Sequence, residues 1–294
     1  MLSGSDLKQP EEQGDIGAVT DTHVHVVSDD ISRYPRRSGG LGRDWWTGRA
    51  VDGDTVLRDL AAAGVLRAAL VQAVGAYGTD NRYARSVVDA HPDRLAFVPA
   101  IDPATEDPVT ELTALITLGS VAGIRLFGVD SEPTWLSDGR GRAIWEVARE
   151  SDITLVPTLV PDQLAALRTL VSDMPDTRVA LDHCAFPDLR SGPPYPAATA
   201  LFALAECPSM HLKITSIVLL EAALHGGVTA LVEQLIESFG PDRLCWGSDH
   251  PQTIELRYPE MVKLARAAVY TVDTAAQRSI LDLTARALFW RGDE

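Results

Sequence analysis

Eight short apolar runs, rich in β-branched residues, recur along this chain, and segments of helical period separate most of them. The runs are Ala18-Val19-Thr20, Ala68 to Val74, Leu95 to Ile101, Val121 to Phe127, Ile153 to Val160, Arg178 to Leu181, His211 to Ile214 and Arg243 to Trp246. Between them apolar residues fall three and four apart, as in Val56, Leu57, Leu60 and Ala61, or Ile144, Val147 and Ala148. That spacing puts them on one helix face. Asp54 and Thr55 are placed to cap the stretch ending at Gly64, and Asp162 to cap Gln163 to Leu170 after Pro161. Parallel strands need helical crossovers, so eight such units within residues 18–294 predict a single-domain α/β fold, a (β/α)8 TIM barrel. A doubly wound open sheet is the alternative. Residues 1–17 read as a flexible polar tail.

Composition narrows the partners. The 294 residues carry a formal charge of −15, which argues against a general hold on nucleic acid or an anionic membrane surface. No apolar stretch reaches the roughly 18 residues that span a bilayer, and the N-terminus lacks the basic and apolar regions of a signal peptide. Cys184, Cys207 and Cys245 are far apart with no Cys-x-x-Cys, so neither a disulfide framework nor a thiolate zinc site is indicated. A cytoplasmic protein acting on small molecules, as a monomer or dimer, is the expectation.

One segment runs against the overall charge. Residues 29–50 hold Arg33, Arg36, Arg37, Arg43 and Arg49 against three aspartates, with Tyr34, Trp45 and Trp46 among them. It reads either as a solvated loop pinned by aromatics or as an anion-attracting lid over the barrel mouth.

The first run leads into Asp21-Thr22-His23-Val24-His25. Strand side chains alternate, so both imidazoles face one side. Such a pair grips a divalent ion such as zinc, donates hydrogen bonds to a substrate oxygen, or is simply satisfied at a strand end. The sixth run ends Leu181-Asp182-His183 and the eighth ends Gly247-Ser248-Asp249-His250-Pro251. Both place titratable groups at strand C-termini, where barrels carry their active sites, although an Asp beside a Pro-containing turn also serves as a cap. Arg125 and Lys213 interrupt runs that are otherwise apolar, and an unpaired buried cation is costly. Arg125 suits bidentate carboxylate binding. Lys213 suits either a substrate anion or an ion pair inside the barrel. Tyr77, Asn81 and Tyr83, after the second run, offer hydrogen bonds to a substrate or ordinary loop packing. No Gly-x-Ser-x-Gly elbow, Walker loop or dinucleotide fingerprint occurs.

The ordered set of first-strand His-x-His, later Leu-Asp-His and last-strand Asp resembles the amidohydrolase superfamily, of the amidohydrolase 2 type. Asp21 to His25, Val71-Gln72 with Asp80 to Tyr83, His91 to Leu95, Gly123-Ile124-Arg125, Leu181 to His183 and Phe239 to Pro251 are similar to its lactonase branch. That branch includes 2-pyrone-4,6-dicarboxylate lactonase, sulfomuconolactonase and sugar-acid lactonases. Thr284 to Phe289 is similar to the closing helix of that family, with Thr284 in place of its usual Asn.

The resemblance implies a hydrolase opening a lactone or similar cyclic ester of an anionic small molecule. Asp249 is then the general base, with His23, His25 and His183 around the carbonyl oxygen. Arg125, Lys213, Tyr77, Asn81, Tyr83, Arg33 and His250 are the candidate substrate contacts. His23, His25, His183 and Asp249 are the candidate ligands for one zinc or other divalent ion. The fifth run, Thr154 to Leu159, lacks the histidine that tight metal sites of this superfamily add. A metal-optional enzyme is therefore expected. Two alternatives are a zinc-dependent non-oxidative decarboxylase of the same superfamily, separated by carbon dioxide release, and a catalytically silent ligand-binding barrel, separated by binding without turnover.

Overall fold

In the computed structural model, residues 17–37, 46, 50–129 and 133–291 are described. Residues 1–16 of the expected tail (1–17) and the loop residues Arg43, Trp45 and Arg49 lie outside them.

The described residues form nine parallel strand segments: β1 (Val19–Val24), β2 (Val65–Val71), β3 (Leu95–Val98), β4 (Ala100–Ile101), β5 (Gly123–Phe127), β6 (Thr154–Thr158), β7 (Val179–Leu181), β8 (Met210–Thr215) and β9 (Leu244–Gly247). They make eight staves, because β3 and β4 are one run interrupted at Pro99. Proline has no N–H for the ladder, yet its carbonyl still accepts from the Arg125 backbone N–H at 2.7 Å. Strand order is β1-β2-β3 and β4 through β9. A parallel bridge between Phe97 and Val121 joins the two sets. At the other seam Val24 bridges His250, and Asp249 N–H donates to the His23 carbonyl at 2.8 Å. The cylinder is thus closed, as a (β/α)8 barrel requires.

Helices fill the crossovers. The first, Gly53–Ala62, is capped by Asp52, whose carboxylate accepts from Thr55 N–H at 2.8 Å. Asp54 therefore lies within the first turn rather than at the cap. Pro161–Gln163 forms a 3-10 turn, so the helix starts at Leu164, and Gln163 rather than Asp162 accepts from the Val160 N–H.

Strand alternation divides the interior. Ile124, Leu126, Leu212 and Ile214 pack outward into the apolar layer under the helices, which turns Arg125 and Lys213 inward. A separate inner cluster, Ala69, Val71, Ala96, Val98, Val156, Ala180 and Cys245, is closed by Leu288 and Phe289 of the final helix, Thr284–Phe289. These mostly small side chains leave space for the two long cations. No single described helix is long and apolar enough to cross a membrane.

Candidate active site

The site lies where β1, β7 and β9 end, and its geometry starts from two imidazoles whose outer nitrogens are committed. His25 Nδ1 is 2.8 Å from the Val71 carbonyl, and His23 Nδ1 is 3.0 Å from Asp182 Oδ1. A carbonyl only accepts, as does an ionised carboxylate, so both rings carry a proton on Nδ1. In the neutral tautomer each Nε2 then presents a lone pair. These two Nε2 atoms are 3.2 Å apart. Asp249 Oδ1 is 3.3 Å from His25 Nε2 and 3.7 Å from His23 Nε2. The Asp249 side chain is fully buried, and neither of its oxygens receives a hydrogen bond of ordinary geometry among the described residues. Three acceptors that face one another call for a shared donor or cation, which a polarised water or a divalent ion supplies.

Burial dominates the electrostatics of the site. Burial holds the His23 imidazole well below its ordinary 6.5, with Lys213 adding to the effect and Asp182 opposing it. Burial likewise lowers His183. For Asp249 burial pushes upward, but the imidazoles of His183, His25 and His23 outweigh it, and the carboxyl sits below its usual range.

The turn after β7 supplies His183, two residues beyond the strand. Four consecutive residues, His183 to Phe186, have φ between 48° and 57°, a left-handed run that non-glycine residues rarely adopt. It brings the His183 ring to 4.9 Å from that of His23, stacks it on Phe186 at 4.7 Å, and sets Nδ1 2.9 Å from Thr215 Oγ1. Asp249 is also left-handed, with φ of 57°. Its approach to β1 depends on Gly247, where an added Cβ would stand 2.8 Å from the His23 Cβ.

Two acids that sequence reasoning did not single out organise these groups. Asp182 faces His23, Lys213, Thr158 and Arg125. Asp21 accepts from the His23 and Ser248 N–H groups, each at 2.9 Å, and from the Tyr258 hydroxyl at 3.0 Å, which ties β1 to the end of β9. Burial pushes the Asp21 carboxyl up to about 6. The available signal was position: Asp182 directly precedes His183, and Asp21 is two residues before His23.

The other expected contacts divide. Arg125 is buried, with its guanidinium over Phe127. Its Nε donates to Thr158 Oγ1 at 3.1 Å and its Nη1 to the Gln72 carbonyl at 2.8 Å, and Nη2 has no protein partner among the described residues. Lys213 is spent inside the barrel: Nζ is 3.0 Å from the Thr22 carbonyl, 3.1 Å from Asp182 Oδ1 and 5.2 Å from the Phe289 ring centre. Asn81 holds Ala100 through both its amide atoms, and the Tyr77 hydroxyl accepts from Ser28 N–H at 2.8 Å. Tyr83 packs between Tyr34 and Tyr77. His250 turns outward, with Nε2 3.1 Å from Asp59 and its ring against Tyr258. Arg33 is exposed over the Tyr34 ring, in a surface hollow shared with Arg82 and Arg85. The polar partners of Asn81, Tyr77 and His250 thus lie away from the histidine and Asp249 cluster, and Arg33 stands at the surface.

Comparison with known proteins gives consistent findings. Residues 20–291 match the amidohydrolase family. An L-fucono-1,5-lactonase of Burkholderia ambifaria is 28% identical over 196 residues, which cover 65% of this chain and 67% of the relative. A Pseudomonas putida structure with a provisional 2-pyrone-4,6-dicarboxylic acid hydrolase assignment is 27% identical, covers 92% of this chain and 97% of its own, and superposes with a TM-score of 0.71. An amidohydrolase of Burkholderia multivorans with bound zinc superposes at 0.74 with 20% identity, over 92% of this chain and 99% of its own, which shows the shared barrel fold.

Proposed function

The chain belongs to the amidohydrolase family, and from that premise we propose that it opens a lactone or similar cyclic ester of a small anionic molecule, with Asp249 as general base. The observation that carries this reading is the Asp249 carboxylate itself: buried, without a hydrogen bond of ordinary geometry among the described residues, and within 3.3 Å and 3.7 Å of two Nε2 atoms at the barrel mouth.

Asp249 takes a proton from water as the water oxygen attacks the lactone carbonyl carbon, and the carbonyl π electrons move onto oxygen. Collapse of the tetrahedral intermediate breaks the ring C–O bond, and the proton held by Asp249 passes to the departing alkoxide. A Thr215 hydroxyl proton on His183 Nδ1 leaves the His183 proton on Nε2, as a donor to the developing oxyanion. Arg125 Nη2 anchors the anionic substituent. Arg33, Tyr77, Asn81, Tyr83 and His250 are given no substrate contact in this reading: Tyr77, Asn81 and His250 have polar partners elsewhere, Arg33 stands exposed at the surface, and Tyr83 packs between Tyr34 and Tyr77. Lys213 holds the framework.

A divalent ion fits the three facing acceptors. His23, His25 and Asp249, with His183 alongside, would hold it, and it would supply Lewis-acid polarisation of the carbonyl. The reading remains metal-optional, because a water donating to the same acceptors meets the same requirement. In addition, the fifth stave offers Thr154 and Thr158, whose hydroxyls serve Leu288 and Asp182.

A hydrolysis screen over sugar lactones, muconolactones and pyrone carboxylates, read by acid release with carbon dioxide monitored in parallel, tests the proposal. Acid release from at least one lactone is expected. Carbon dioxide release alone, or binding without turnover, would overturn it.

A further inference from the structure

We propose that Asp182 is the positioning residue that decides which nitrogen of His23 faces the cleft. It is fully buried, as are its partners His23 and Lys213. Its two oxygens are reached from four other staves. Oδ1 stands 3.0 Å from His23 Nδ1 on β1 and 3.1 Å from Lys213 Nζ on β8. Oδ2 accepts from Thr158 Oγ1 on β6 at 2.7 Å and lies 3.5 Å from Arg125 Nε on β5. No other carboxylate among the described residues gathers partners from as many strands.

The chemistry follows from what each partner can donate. Lys213, Arg125 and Nδ1-protonated His23 present only N–H groups to Asp182, and Thr158 gives its hydroxyl proton because it already accepts from Arg125. A carboxylate accepts all four. The consequence for His23 is that Nδ1 holds the proton and Nε2 keeps its lone pair toward His25 and Asp249. An Nε2–H there would fill the gap between the paired imidazoles and the Asp249 carboxylate. Outer-shell carboxylates that orient an imidazole are conserved parts of such sites, and their loss costs roughly 10- to 100-fold in affinity or activity. The assignment takes from the lactone reading only the place of reaction.

Replacing Asp182 by Asn leaves one acceptor oxygen for two cations and puts an NH2 group where His23 Nδ1 donates, so the His23 proton is expected to move to Nε2. The test is two-bond 1H–15N correlation on 15N-labelled protein, with His23 assigned through a His23→Gln sample. Wild-type His23 is expected as the neutral Nδ1–H tautomer and Asp182→Asn as Nε2–H. On a lactone found in the screen, kcat should fall about 10- to 100-fold with KM little changed. A wild-type His23 protonated on Nε2 or on both nitrogens overturns the assignment, as does an Asp182→Asn protein in which the tautomer stays or kcat is retained. Should that variant not fold, the wild-type tautomer alone decides. The tautomer is read without substrate, so failure of every lactone would sink the lactone reading and leave this assignment to its own test.

Discussion

His23 Nε2 and His25 Nε2 face each other at 3.2 Å because each ring donates its Nδ1–H to a partner behind it, the Asp182 carboxylate and the Val71 carbonyl. The arrangement defines a place for a shared donor or cation next to Asp249.

Chelation is the first test. Purified enzyme, assayed for metal by elemental analysis, is expected to keep its hydrolytic activity after treatment with a chelator, because a water donating to His23, His25 and Asp249 satisfies the same acceptors. Activity abolished by chelation and restored by zinc would contradict this.

Lys213 separates stability from binding. Its ammonium is wholly enclosed and paired with Asp182, and removing one member of a buried pair costs on the order of 3 kcal/mol. Lys213→Met should lower the urea midpoint accordingly, with KM little changed. An unchanged midpoint with a raised KM would instead place Lys213 on the substrate.

Asp21 gives a pH signature. Its folded carboxyl titrates near 6 against an ordinary 3.8, raised chiefly by burial. Between those values the folded state binds the proton and the unfolded state does not, so this group makes stability fall as pH rises from about 4 to about 6, by on the order of 3 kcal/mol. Asp182 has the opposite sign. Burial opposes its ionisation, but Lys213, His23 and Arg125 hold it well below 3.8, so its contribution is present above about 4 and is lost as pH falls further. Asp21→Asn should therefore flatten the stability profile between pH 4 and 6 and leave the more acidic limb in place. Parallel profiles for the two proteins would refute this.

The barrel was legible because its period is local: alternating strands and helical faces repeat eight times, and only the break at Pro99 changed the segment count. His23, His25, His183 and Asp249 were legible as polar groups ending apolar runs, and the structure brings them together. Asp182 and Asp21 were not, because their importance comes from partners 24 to 237 residues away, such as Thr158 and Tyr258, and no local pattern encodes which strands meet. Arg125 and Lys213 stood out as buried cations, but only the fold shows that Lys213 is saturated while Arg125 Nη2 is open. Asn81 and Tyr77 looked available because a sequence does not reveal that backbone at Ala100 and Ser28 claims their side chains.

The most direct measurement is lactone opening by wild type and Asp249→Asn side by side. Asn tolerates the left-handed backbone at this position, where φ is 57°, and it keeps the shape while removing the base. The expected result is acid release by wild type and a loss of about 10²- to 10⁴-fold in kcat for the variant, with an unchanged melting temperature. Near-wild-type turnover by Asp249→Asn would contradict the assignment of that carboxylate as the base.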